Sequence, residues 1–335
     1  MQILAPYLVF IGDATDALSI KMARGVADWR PELCIGEAKV DGCTVTTGLP
    51  QKTIEQAHKE GAKSLVLGFA NSGGVLDVKW HPYIIEALSL GMDVVSGLHD
   101  KLNDVPALVE VAKAHNCKMH DIRHPTAEFK TGTGAKRTGK RLLTVGTDCS
   151  VGKMYTSLSL EKAMKDAGLK VDFRATGQCG ILIAGQGVAI DCVVSDFISG
   201  AVEHISPSND HEHWDIIEGQ GSLSHPAFAG VSMGLLHGSQ PDAIVICHAL
   251  GRHHMRGLPH TVLPSIKETI ELNLQAAKLT NPDVKVVGIT VNTSSVSIQE
   301  GREYCQQISD EFGLPCVDPV RDGTASIIDF INAQV

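Results

Sequence analysis

The 335-residue sequence has no surplus of positive charge, no paired cysteine motif and no long apolar run. Each absence closes a class of function. Net charge is −9 with histidine neutral, so the basic face needed to hold nucleic acid is missing from the totals. The nine cysteines include no CxxC pair, and their odd number, scattered through apolar segments, argues for reduced thiols in a cytoplasm over a disulfide framework. Met1 to Ile11 lacks a basic leader and its apolar run stops at Asp13, so it does not read as a signal peptide. No stretch reaches the ~18 apolar residues of a membrane span. The best candidate, Ile181 to Val194, is broken by Gly185, Gln186, Gly187 and Asp191. Aromatics are also scarce, at 4%, whereas glycine is abundant, at 33 residues. Many turns and few large rings suit alternating strands and helices better than a helical bundle.

The length predicts two domains. Residues 1–125 alternate short apolar runs (Tyr7 to Ile11, Ser64 to Leu67, Asp93 to Ser96, Lys118 to Ile122) with helical spacings (Ser19 to Asp28, Pro82 to Leu90, Val105 to His115). That alternation predicts a parallel sheet of Rossmann-like α/β type. Residues 126–140 are rich in Thr, Gly and Lys and read as a linker. The one basic cluster, Lys130, Lys136, Arg137, Lys140 and Arg141, reads as its solvated charge. Residues 141–335 begin a second α/β series, predicted as a three-layer P-loop domain: a strand at Leu142 to Val145, a helix at Lys153 to Ala167, then strands near Lys170, Trp214, Ala243 and Lys285, with an amphipathic helix at Leu263 to Leu279.

Between the first strand and helix of that series runs Gly146, Thr147, Asp148, Cys149, Ser150, Val151, Gly152 and Lys153. Strand, glycine turn, lysine and helix together hold phosphate: backbone N–H groups line a concavity, the helix N-terminus adds its dipole and lysine adds a full charge. The loop departs twice from the regular pattern. Five residues, in place of four, separate Gly146 from Gly152, and Met154 stands where a Ser or Thr normally binds Mg²⁺. Thr156 is roughly 200° further around the helix and cannot replace it. The loop therefore reads as a holder of phosphates that does not depend on Mg²⁺. Downstream, Trp214 to Glu218 followed by Gly219 resembles a Walker B strand, with Glu218 emerging beside the loop if the two strands are neighbours.

The loop is similar to that of dethiobiotin synthetases. The whole chain resembles the D-glutamate N-acetyltransferase family, which pairs a Rossmann-like N-terminal half with a P-loop C-terminal half. The shared stretches are Gly68 to Gly74, Ser96 to His99, Gly146 to Met154, Thr176 to Gln178 and Glu218 to Pro226. The resemblance implies transfer of acetyl from acetyl-CoA, as co-substrate, to the amine of D-glutamate, in D-glutamate catabolism. It implies a small-molecule acceptor; the charge balance predicts no nucleic acid partner and the lack of a long apolar run no membrane partner, and a homo-oligomer is expected. The alternatives are an ATP/Mg²⁺-dependent ligase or kinase of dethiobiotin-synthetase type, against which Met154 counts, and a nucleotide-dependent switch.

Amine attack on a thioester needs a general base and oxyanion donors. The candidates for the base are Glu218 and His225, the latter fixed by Pro226. Cys149, near a helix N-terminus and Lys153, could instead carry the acetyl in a ping-pong scheme. The loop residues Gly146 to Met154 would bind the cofactor, and by resemblance Asn292 would lie at its adenine. For the two carboxylates of D-glutamate the candidates are Asn71, Ser72 and Gly73 of a glycine-rich strand end, with Lys21, Arg24 and Arg252 as cations. His248, His253, His254 and His260 fit no standard zinc spacing, so no metal is expected.

Overall fold

The computed structural model describes residues 3–69 and 71–334, and of Ser72 the backbone alone. Ala70 and the Ser72 side chain, both in the strand-end loop expected to bind substrate, lie outside the described residues. The chain forms two compact units. The first runs to Thr126 and also takes in Gln178–Ala189; the second holds Ala127–Gly177 and Ile190–Val335.

In the first unit, β1 (Tyr7–Gly12), β2 (Cys34–Lys39), β3 (Ser64–Leu67), β4 (Asp93–Ser96) and β5 (Met119–Asp121) form a parallel sheet in the order β2-β1-β3-β4-β5. β1, β3 and β4 are buried along their whole length, which is why they read as unbroken apolar runs. The sequence pattern does not reveal β2, because buried Glu37 interrupts it. That carboxylate accepts from Thr46 Oγ1 at 2.6 Å and from the Thr47 amide at 2.7 Å, and pairs with Lys39 at 2.9 Å. The helices His81–Ser89 and Pro106–Ala114 start on proline in the first turn, where no N–H is needed. A short helix, Gln178–Ala184, packs in this unit against the helix Lys21–Trp29. No local signal separates 178–189 from the P-loop series that surrounds it in sequence.

In the second unit, β6 (Lys140–Gly146), β7 (Val171–Arg174), β8 (Trp214–Ile217), β9 (Ala243–Ala249), β12 (Lys285–Asn292) and β13 (Cys316–Val317) form a parallel sheet in the order β13-β12-β9-β6-β8-β7. A small antiparallel hairpin, β10 (His254–Met255) with β11 (Leu258–Val262), follows β9. The helix Ile266–Ala277 opens on a reciprocal cap between Ser265 and Glu268, and the helix Ile298–Phe312 on one between Ser297 and Glu300.

Of the basic cluster, Lys130 and Lys136 are exposed as expected, but Arg137 and Arg141 are tied to backbone carbonyls. Arg141 is fully buried and donates to the carbonyls of Thr138 at 2.9 Å and Arg137 at 3.2 Å. The Arg137 guanidinium donates to Ser206 O (2.6 Å), Gly238 O and Ser239 O. Those carbonyls lie at the ends of the helices Ile198–Ile205 and Ala229–Ser239. Arginine there satisfies orphan carbonyls and meets the negative ends of both helix dipoles.

Candidate active site

The carboxyl end of β6 gathers the chemistry. β6 lies between β8 and β9, with Leu143 opposite Ile217 and Gly146 opposite Cys247. Glu218, the next residue after Ile217, is therefore level with Thr144, two residues before the loop begins at Gly146, which meets the neighbouring-strand condition. Ligands of open parallel sheets bind at such strand ends. Glycine is required at Gly146, where a Cβ would come within 2.7 Å of Val151 Cγ2 and 3.0 Å of Cys247 O. It is required more strongly at Gly219, where a Cβ would sit 1.7 Å from Thr144 O.

The loop turns sharply into its helix. Ser150 (φ 52) and Gly152 (φ 104) adopt left-handed backbone where the loop meets the helix Lys153–Asp166. Lys153 is buried and donates from Nζ to Asp148 O at 2.8 Å. Burial holds its pKa below the usual lysine value, against nearby Cys149, Cys247, Asp148 and Glu218. Met154 takes the position of the usual hydroxyl, and Thr156 turns its own hydroxyl to Thr290 Oγ1 at 2.9 Å.

Asp148 braces the loop from within. Its carboxylate, fully buried, accepts from Cys149 N (2.6 Å), Arg252 Nη1 (2.9 Å) and Arg256 N (2.8 Å). Arg252 also donates to Cys149 O at 2.6 Å and to Ser150 O at 3.0 Å. It is thus bound to the loop itself. Arg256, exposed, reaches Ser150 Oγ at 2.5 Å. Sequence could not reveal this brace, because its partners lie more than a hundred residues apart. His248, at the end of β9, contacts Thr147 Oγ1 through Nδ1 at 3.2 Å; burial and then Arg252 push its pKa down to about 4.

Glu218 is buried, and its Oε2 accepts from Thr176 N at 3.0 Å and Gly177 N at 3.2 Å. Burial nevertheless pushes its pKa up to about 7, outweighing those bonds, Gln220 and Lys153. The role of Thr176 and Gly177 as backbone donors to this carboxylate was not visible in the sequence. His225 is 2% exposed and stacks on Phe228 at 4.6 Å. Its Nδ1 accepts from Ala227 N at 3.2 Å, and its buried Nε2 has no protein partner. A ring nitrogen of His225, Cys149 Sγ and an Asp148 oxygen lie within 4.8 Å of one another. Those are donor types a cation could use, and Arg252 already pairs with the Asp148 carboxylate at 2.9 Å.

The remaining candidates are divided between the units. Asn292 ends β12, exposed, its Oδ1 accepting from Ser294 N at 3.0 Å. In the first unit, Asn71 closes its own turn, exchanging bonds with Val75 N (3.0 Å) and Val75 O (2.7 Å). Gly73 beside it has φ 79. Lys21 and Arg24 are exposed on the helix Lys21–Trp29, with Arg24 paired to Asp28 at 3.1 Å.

The P-loop model of a domain of unknown function, DUF1611, matches residues 128–328, and the Rossmann-like N-terminal model of the same family matches 38–125. The chain belongs to the DUF1611 family. A family member from Anabaena variabilis ATCC 29413, solved by crystallography, superposes with a TM-score of 0.89 at 31% identity, covering 98% of this chain and all of that one. The DUF1611 architecture of a Rossmann-like and a P-loop α/β half is therefore this chain's own. Two curated relatives carry the name D-glutamate N-acetyltransferase. One, from a Pseudoalteromonas species, is 71% identical over 98% of this chain and 99% of its own length. The other, from Tritonibacter scottomollicae, is 47% identical over 98% of each. Among the described residues no helix is long and apolar enough to cross a membrane.

Proposed function

We propose that the protein is an acyltransferase that moves acetyl from acetyl-CoA to the amine of D-glutamate, in D-glutamate catabolism. Full-length identity to two relatives of that name carries the reaction class. The observation that supports the donor is the loop: a phosphate cradle with a buried lysine and a methionine in place of the Mg²⁺ ligand. Coenzyme A offers a pyrophosphate and a ribose phosphate, which such a cradle holds without hydrolysis. Exposed Arg256, at the rim, is the cation positioned to add to it. An open groove of about 520 Å³ starts at Ser224, next to His225, and runs between Met255, Val262 and Leu272. Glu268 and Glu271 on its wall repel an anion such as glutamate, so the groove suits the donor's uncharged arm.

In this reading Glu218 is the general base. A carboxyl poised near pH 7 is matched to accepting a proton from an amine at neutral pH. Cys149 is left as part of the cradle. His225 cannot relieve it of a proton while Nδ1 is held by Ala227, since the ring's own proton then sits on Nε2. Transfer is therefore direct, from donor thioester to amine. The test is release of free CoA thiol from acetyl-CoA across a panel of D- and L-amino acids. Release with D-glutamate above all others supports the reading; release with none of them removes it.

A further inference from the structure

The geometry points to His225 as the oxyanion donor of the site: a neutral imidazole whose Nε2–H bonds the oxygen that turns negative when the acetyl thioester is attacked. This rests on the acetyl-transfer reading. Four observations carry it. The ring is fixed, stacked on Phe228 at 4.6 Å and anchored in a turn where His225 N donates to Ser222 O at 3.1 Å. Ser222 Oγ in turn donates to Thr147 O at 3.3 Å, tying that turn to the phosphate loop. The amide of Ala227 points at Nδ1, which must offer its lone pair, so the proton of the neutral ring lies on Nε2. Finally, that Nε2–H is buried with no protein acceptor, while a nitrogen of the same ring lies within 4.8 Å of Cys149 Sγ in the cradle.

Buried N–H groups are nearly always paired, so one left open at a loop for ligands marks where a ligand supplies the acceptor. A base needs a bare nitrogen, and the bare one here is engaged by Ala227. The histidine expected from sequence to remove a proton is instead arranged to donate a hydrogen bond. The step balances as follows. The amine lone pair forms the N–C bond, and the carbonyl π pair moves to oxygen, where Nε2–H meets it. The amine proton passes to Glu218. The oxyanion then re-forms C=O, the C–S bond breaks, and the departing thiolate takes up the proton from Glu218.

Two readouts test this. His225→Gln places an N–H donor near Nε2 without an imidazole, whereas His225→Ala removes it. With acetyl-CoA and D-glutamate, His225→Ala should lose about 100-fold or more in kcat at unchanged KM for acetyl-CoA. His225→Gln should recover most of that loss and keep the acid limb of the wild-type pH profile. A glutamine variant as inactive as the alanine variant and lacking that limb overturns the proposal, and so does a loss confined to KM. Should either variant fail to fold, ¹⁵N NMR of histidine-labelled wild-type protein decides: Nε2 protonated and Nδ1 bare supports the role, the reverse tautomer overturns it. Wild-type protein that releases no CoA thiol with any amine overturns the acetyl-transfer reading, and with it this step, while the tautomer result stands apart.

Discussion

At the scale of single residues, Glu218 sets the pH behaviour. Its folded pKa of about 7 lies above the 4.5 of an ordinary glutamate because burial penalises the charged form more than Thr176, Gly177, Gln220 and Lys153 favour it. A raised folded pKa contributes stability below the unfolded value, and that contribution is lost as pH rises through the folded one. The window is thus roughly pH 4.5 to 7, and the linkage is on the order of 3 kcal/mol for a fully buried group. Glu218→Gln should flatten this part of the stability profile, leaving the variant relatively more stable at pH 8, as read by urea unfolding across pH. The same substitution should remove the rise of kcat/KM near pH 7 and lower its plateau by about 10²-fold or more. A variant that keeps the rise excludes Glu218 as the base. Cys149 makes a separate prediction: intact-mass analysis of wild-type protein mixed with acetyl-CoA alone should find no acetyl on that cysteine. A stoichiometric adduct would restore the ping-pong route.

At the scale of elements, the loop is held by a brace that no local pattern announces. Strand, glycine turn and lysine were legible because they are contiguous and follow the period of their elements. Asp148 with Arg252 was not, since the bond joins the loop to the segment after β9. The same limit hid Arg137, whose acceptors are carbonyls at the ends of two distant helices, and it made half-buried Arg137 and buried Arg141 look like solvated charge. Asp148 is buried and its partner Arg252 half-buried, so removing the arginine strands a buried carboxylate. Arg252→Ala should therefore cost about 3–5 kcal/mol, leaving the Asp148 carboxylate without its cation. Arg252→Lys should recover only part of this, because an ammonium cannot reach Asp148 Oδ2, Cys149 O and Ser150 O with one planar fork. Thermal melts of both variants, with and without acetyl-CoA, check the order. Equal melting of wild type and Arg252→Ala would show the brace to be dispensable.

At the scale of the whole molecule, the fold was the most legible layer and the site the least. Buried parallel strands write themselves as apolar runs, so both α/β halves could be read from pattern. β2 escaped because Glu37 lies buried inside it, and 178–189 escaped because membership of a unit is a property of packing that sequence order does not carry. Charge is also uneven at this scale. A chain of net charge −9 must attract an anionic donor and an anionic acceptor, so a local positive field from the cradle N–H groups, Lys153 and Arg256 has to prevail over the long-range repulsion. Salt screens both, but with a Debye length of ~8 Å at physiological strength it screens short direct contacts least. Raising salt from low values to physiological strength should therefore weaken acetyl-CoA binding by only a few-fold. Because Met154 leaves the cradle without its Mg²⁺ hydroxyl, adding EDTA should leave that affinity unchanged in calorimetry, and ATP with Mg²⁺ should bind at least tenfold more weakly. Binding of acetyl-CoA that collapses with EDTA, or ATP–Mg²⁺ that outcompetes it, would return the loop to the nucleotide-hydrolysing class from which its sequence departs.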